Sequence, residues 1–109
     1  MSESHYDCPC MEKCPLHHAM QLIGGKWKVQ ILCAVCNAGV IRYNALRGKL
    51  DGVSNTVLAS ALRELERDGL VTRKEYLEVP VRVEYSPTDS YRELLPILEQ
   101  LSDWAEKRM

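Results

Sequence analysis

The chain has 109 residues, 46% of them apolar, and a formal net charge of −1. That is enough for one hydrophobic core, and no apolar run approaches the roughly 18 residues that a membrane span needs. The N-terminal Met1-Ser2-Glu3-Ser4-His5 lacks the basic and then apolar pattern of a secretory signal, so a cytoplasmic protein with no membrane contact is expected.

Pro15 is suited to the first position of a helix, where its missing N–H costs nothing. Leu16, Ala19, Met20 and Ile23 follow at helical spacing, and Gly24-Gly25 interrupts the run. A second helix is predicted from about Lys26 to Cys36, with Trp27, Ile31, Leu32 and Val35 as its buried face and Asn37-Ala38-Gly39 as its end. Val40-Ile41-Arg42 is a short β-prone piece. Tyr43 to Leu50 reads as a short helix with Leu46 and Leu50 inward, and Asp51-Gly52 as a turn.

Ser54 is a good N-cap for the next helix. That helix is predicted to reach Asp68, with Val57, Leu58, Ala61, Leu62 and Leu65 buried and Gly69 as a left-handed stop. Leu70 to Tyr76 and Arg82 to Ser86 have strand character, joined by the hairpin loop Leu77-Glu78-Val79-Pro80-Val81. Thr88 or Asp89 then caps a long C-terminal helix, which Pro96 is expected to kink or to limit in its first turns. Short helix, tight turn, second helix and hairpin make a winged helix-turn-helix, a mainly α fold with a small β wing. The expected organisation is an N-terminal Cys-containing arm over residues 1–13 and a winged helix-turn-helix domain over 14–109.

The near-zero charge conceals a sorted distribution. Residues 26–74 carry nine Lys or Arg against four acids, whereas residues 1–25 and 75–109 are both net acidic. A basic middle attracts phosphate locally whatever the total. The helix from Ser54 is about 22 Å long at roughly 1.5 Å per residue. Its early outward residues, Ser54, Asn55, Thr56, Ser60 and Arg63, are small hydrogen-bonding groups followed by an arginine, a set that suits base edges in a major groove. Glu64, Glu66 and Asp68 come later and would repel phosphate, so the N-terminal half should dock. Tyr43, Arg47 and Lys49 are candidates to hold the DNA backbone, and Arg82 on the wing is a candidate for a neighbouring groove or phosphate.

One copy reads only a few base pairs, so specific binding calls for two half-sites and a palindromic operator. Leu94, Leu98, Leu101 and Ala105 form one stripe of the last helix, widened by Leu95, Ile97 and Trp104. So broad an apolar surface is expected to pair two copies, together with Leu16 and Met20 of the first helix.

Five cysteines in a short intracellular chain point to redox or metal chemistry. Cys14 stands at the N-cap of the helix opened by Pro15, where the helix dipole favours a thiolate and Lys13 adds positive charge. It is the candidate target for an oxidant or a small electrophile. Cys8 and Cys10 are candidate disulfide partners. Alternatively Cys8, Cys10, Cys14 and His17 or His18 hold zinc, although the spacing differs from the common Cys-x2-Cys pairs, and no metal or cofactor is assigned. Cys33 and Cys36 form a C-x-x-C on a predicted helix, which reads as two packing cysteines.

Cys14-Pro15, Ile23-Gly24-Gly25-Lys26-Trp27, Arg42-Tyr43-Asn44, Leu62-Arg63-Glu64-Leu65-Glu66, Asp68-Gly69-Leu70-Val71 and Val79-Pro80 with Arg82-Val83-Glu84-Tyr85 together resemble the HxlR-type regulators. The resemblance spans Cys14 to Trp104. It implies a dimeric winged helix-turn-helix regulator of bacteria or archaea. Members respond to electrophiles, quinones or oxidants, and some activate formaldehyde-fixation genes. It also implies that Cys14 occupies the sensor position. The chain departs from the pattern at Ala45, where Glu is usual, and at Pro87 and Tyr91, where Leu and Gly are usual. The expected function is therefore a sequence-specific, DNA-binding transcriptional repressor or activator, homodimeric and thiol-responsive. The alternative is a redox or metal-binding protein that uses its winged helix for protein contact. No nucleophile–base pair, phosphate loop or paired carboxylates indicate an enzyme.

Overall fold

The first helix begins where proline allows it. The computed structural model describes residues 14–109; the arm over 1–13, with Cys8 and Cys10, lies outside the described residues. Helix α1 runs Pro15–Ile23, with Cys14 as its extended N-cap. Gly24 ends it, donating its N–H to the Met20 carbonyl at 2.7 Å. A side chain at Gly24 would collide with that carbonyl oxygen, so glycine is required there.

Helix α2 spans Lys28–Ala38, starting two residues later than its apolar spacing predicts because Trp27 serves as its N-cap. Strand β1 (Ile41–Arg42), helix α3 (Tyr43–Gly48) and helix α4 (Asn55–Arg67) follow. Strands β2 (Val71–Tyr76) and β3 (Arg82–Pro87) form the hairpin, and helix α5 covers Asp89–Glu106. The three strands pair antiparallel in the order β1-β3-β2. In register, Ile41 and Arg73 both face Tyr85 across the ladder, while Arg42 and Lys74 both face Glu84.

The element ends follow local chemistry. Ser54 accepts the Val57 N–H at 3.1 Å and so caps α4. Gly69 closes the same helix at φ +79°. Thr88, and not Asp89, caps α5: its hydroxyl accepts the Tyr91 N–H at 3.1 Å and donates to the Gly69 carbonyl at 2.6 Å. One threonine thereby ties the end of the α4 turn to the start of α5. Helix α5 runs through Pro96 undivided. Its first turns, ahead of Pro96, are held by the Thr88 cap and by Tyr91, which is fully buried.

The core gathers Ile31, Leu32 and Val35 from α2, Leu46 from α3, Leu58, Leu62 and Leu65 from α4, and Val71, Tyr85 and Tyr91. Two expected core positions lie elsewhere. Val57 is 43% exposed, because Leu58, Leu62 and Leu65 define the inward line of α4 and Val57 falls on its flank. Cys33 is exposed and Cys36 half-buried, so only the second packs.

A charged contact seats α4 on α2. Lys28, almost wholly buried, reaches Glu64 at 2.7 Å. The hydrogen bond from Lys28 and its positive charge hold the Glu64 carboxyl below its ordinary value.

Two outcomes are expected. Leu62→Ala should cost about 2–5 kcal/mol in chemical denaturation, since it empties a site touching α2 and the sheet. Because the folded Glu64 carboxyl titrates below the unfolded one, the stabilisation from the pair is complete above the ordinary carboxylate range and is lost as pH falls through the lowered value. The difference in urea midpoint between wild type and Lys28→Met should therefore be constant near neutrality and change below about pH 4.5. A difference independent of pH would remove the ion pair from the account.

Candidate nucleic-acid interface

Helix α4 presents a polar face because its apolar residues recur at 58, 62 and 65. Thr56 and Arg63 are exposed on the opposite side, with Ala59 and Ser60 half-exposed between them. The expected reading residues Thr56, Ser60 and Arg63 thus share one outward face. Ser54 and Asn55 sit at the start of the helix with part of their hydrogen-bonding capacity in use. The Ser54 oxygen caps α4, leaving its O–H to donate outward. The Tyr43 hydroxyl lies 3.1 Å from the Asn55 amide oxygen and 3.3 Å from the Asn55 carbonyl. Tyr43 therefore locks the start of α3 to the start of α4, and the Asn55 amide N–H groups stay available.

Helices α3 and α4 and the hairpin enclose an open groove of about 950 Å³, with Tyr43, Arg63, Glu66, Arg73, Arg82 and Tyr85 among its walls. The cations around it fall into two groups. Arg67 pairs with Asp68 at 3.1 Å, Arg73 with Glu75 at 3.2 Å, and Lys28 with Glu64. Arg73 also lies against the Tyr85 hydroxyl, and with Glu75 this holds its proton more firmly than usual. Among the described residues, Arg42, Arg47, Lys49 and Arg63 have no carboxylate within ion-pairing distance, and all four are exposed. Unneutralised charge thus lies on α3, its flanks and the outward face of α4, and Lys26 and Lys74 also have no carboxylate partner among the described residues.

Arg82 belongs to the neutralised group. It lies 3.1 Å from Glu78 and 3.5 Å from Glu84, and its guanidinium stacks 3.9 Å from the Tyr76 ring centre. It braces the wing and is not presented freely, which departs from the expectation of a free wing cation. Sequence reasoning passed over Arg42 and Val57. Arg42 stands in a two-residue strand, immediately before α3, where only the basic tally of the segment marked it. Val57 carried the signature of a core residue, and its exposure depends on how α4 is rolled on α2.

The expected pairing face divides. Leu94 and Leu98 are half-buried against the chain's own core. Leu16, Met20, Ile97, Leu101 and Trp104 remain at least half exposed. Cys14 lies at the head of α1, as expected, and is 2% exposed, with no side-chain hydrogen bond capping the helix. The zinc alternative and the disulfide partners fall on Cys8 and Cys10, outside the described residues. Among the described residues no helix is long and apolar enough to cross a membrane.

Comparison with known proteins agrees with this geometry. A family profile described as HxlR-like helix-turn-helix matches residues 22–109. An uncharacterized HTH-type transcriptional regulator of Halalkalibacterium halodurans is 46% identical over 93 residues, covering 85% of this chain and 82% of the relative. The solved oxidized form of the redox regulator HypR is 39% identical, with a TM-score of 0.78, over 86% of this chain and 96% of that one. The reduced form of the transcriptional regulator YodB from Bacillus subtilis is 28% identical, with a TM-score of 0.77, over 86% of this chain and 92% of that one. The chain belongs to the HxlR-like helix-turn-helix family of winged-helix transcriptional regulators.

Proposed function

We propose that this regulator binds a palindromic operator as a homodimer and reads bases with the first half of α4, using residues 14–109 as the DNA-binding and pairing unit. The observation that carries the proposal is the outward face of Thr56, Ser60 and unpaired Arg63, flanked by unpaired Arg42, Arg47 and Lys49. Short hydroxyls and an arginine suit base edges, whereas cations on the flanks suit phosphates. Exposed Val57 adds an apolar contact of the kind made with a thymine methyl. Glu64 and Asp68 are already paired with Lys28 and Arg67, which leaves exposed Glu66 as the distal acid that would repel an approaching duplex. Arg82 and its acidic partners set the wing beside the same groove.

Two copies joined through Leu16 and Met20 of α1 and Leu101 and Trp104 of α5 would cover the apolar surface that one copy leaves open. Leu94 and Leu98 support that contact from beneath, where α5 meets its own core. Two α4 helices must then sit roughly 34–36 Å apart to enter successive major grooves.

The proposal includes a thiol response. HypR is a redox regulator solved in oxidized and reduced forms, and Cys14 heads the helix that carries Leu16 and Met20. An oxidant or electrophile that modifies Cys14 would displace α1 and change the separation of the two α4 helices.

Genome-wide mapping of bound sites supplies the operator for the test. Arg63→Ala should reduce discrimination between that operator and a mutated half-site by about 1–3 kcal/mol in competitive gel shifts. Lys49→Ala should weaken both sequences alike. Equal losses from the two variants would mean that α4 does not read bases. Separately, Cys14→Ser should abolish any change in operator binding on treatment with diamide. A response of undiminished size would take Cys14 out of the mechanism.

A further inference from the structure

The C-x-x-C of α2 is left without a role by the proposed function. Cys33 and Cys36 stand one turn apart on α2, where side chains three residues apart have Cβ atoms roughly 5–6 Å from each other. Cys33 is exposed and Cys36 half-buried. Cys33 also borders a shallow groove of about 570 Å³ with Gln30, Asn37 and Lys49, open to a small solute.

The second observation comes from α5. Tyr91 is fully buried, yet its hydroxyl has no hydrogen-bond partner. A buried hydroxyl without a partner is uncommon in a folded protein. It lies within electrostatic reach of both thiols, and burial together with Cys33 and Cys36 pushes the phenol up to about 12. Tyr91 therefore keeps its proton near neutral pH, and Cys33 is the side chain toward which its hydroxyl can donate.

We propose that Cys33 and Cys36 form a second thiol site, in which a hydroperoxide oxidises Cys33 and Cys36 closes a disulfide within α2, with Tyr91 donating to the oxygen held on Cys33. The Cys33 thiolate attacks the peroxide oxygen, the O–O bond breaks, and an alcohol or water leaves with a proton. Cys33 is then a sulfenic acid, whose oxygen gives the Tyr91 hydroxyl a stronger acceptor than the thiol sulfur. The Cys36 thiolate attacks the Cys33 sulfur, the S–S bond forms, and the S–O bond breaks to release water. Two thiols lose two hydrogens in all, and one hydroperoxide is reduced to an alcohol and water.

Closure has a structural consequence. A disulfide needs Cβ atoms about 3.5–4.5 Å apart, so the last turn of α2 must tighten. That turn leads through Gly39 into β1 and α3, and its two cysteines interact with Tyr91 at the root of α5. The site is separate from Cys14 and goes beyond the function proposed above.

Trypsin supplies a direct readout in the wild-type protein. Cleavage after Lys28 and Arg42 releases residues 29–42, which contain Cys33 and Cys36 and no other cysteine; Cys14 falls on a different fragment. After one equivalent of hydrogen peroxide and alkylation, the 29–42 fragment should have lost two hydrogens and carry no alkyl group, and dithiothreitol should restore both. Cys36→Ser should instead accumulate a dimedone adduct on Cys33. Tyr91→Phe, which removes only the unpartnered hydroxyl, should slow disulfide formation severalfold with the fold intact by circular dichroism. Full alkylation of both thiols after peroxide, or Cys33 found only in a disulfide between chains, would overturn the proposal. An unaltered rate in Tyr91→Phe would overturn the role of the hydroxyl. Because Cys14 is read on its own fragment, its behaviour and that of this pair are scored independently.

Discussion

Lys28, almost wholly buried on α2, reaches the more exposed Glu64 at 2.7 Å, and this contact seats one flank of α4 on α2. Glu64 borders the face of Thr56, Ser60 and Arg63, and its contact with Lys28 neutralises the acid at that edge. The same logic extends outward. Asp68 takes Arg67, Glu75 takes Arg73, and Glu78 and Glu84 share Arg82. Exposed pairs of this kind add little stability one by one. Their effect here is to sort charge: the ion pairs lie at the end of α4 and on the hairpin, where Lys74 stacks on Tyr76 without a carboxylate, and the helix-turn-helix carries Arg42, Arg47, Lys49 and Arg63 uncompensated. A chain of net charge −1 can in this way present a phosphate-seeking face.

The helices at the two ends of the domain carry the complementary constraint. In α1 only Ile23 is buried, and in α5 only Tyr91 is. Both helices are apolar along a stripe, part of which, in Leu16, Met20, Leu101 and Trp104, stays exposed. Tyr91 and Thr88 root α5 in the domain that holds α4, through the Thr88 contact to Gly69 at the α4 stop. Movement of α5 is therefore linked to the end of α4 through this short connection. Cys14 at the head of α1 and the cysteine pair near the end of α2 both adjoin this framework.

Much of the fold was legible in the sequence because its boundaries are set locally. Pro15, Ser54, Gly69 and Thr88 act through their own backbone neighbourhoods, so residue type alone locates the helix ends. The hairpin was readable from the alternation of Arg82, Val83, Glu84 and Tyr85. What escaped depends on contacts between elements. Val57 carries the same apolar label whether it faces Leu62 or solvent, and the roll of α4 decides which. Leu94 and Leu98 look identical to Leu101 in a helical stripe, yet the first two lie over the core. Arg82 shares a strand face with Glu84 by its spacing, whereas Glu78 and Tyr76 reach it only through the fold of the hairpin.

The charge-sorted surface, presented by two copies, is tested most directly by the salt dependence of operator binding. If each copy places Arg42, Arg47 and Lys49 on phosphates, six contacts should give a slope of log K against log salt near −5 on a full palindrome. A single half-site, engaging one copy, should give about half that slope. Equal slopes on the two fragments, or a slope close to zero, would contradict the account.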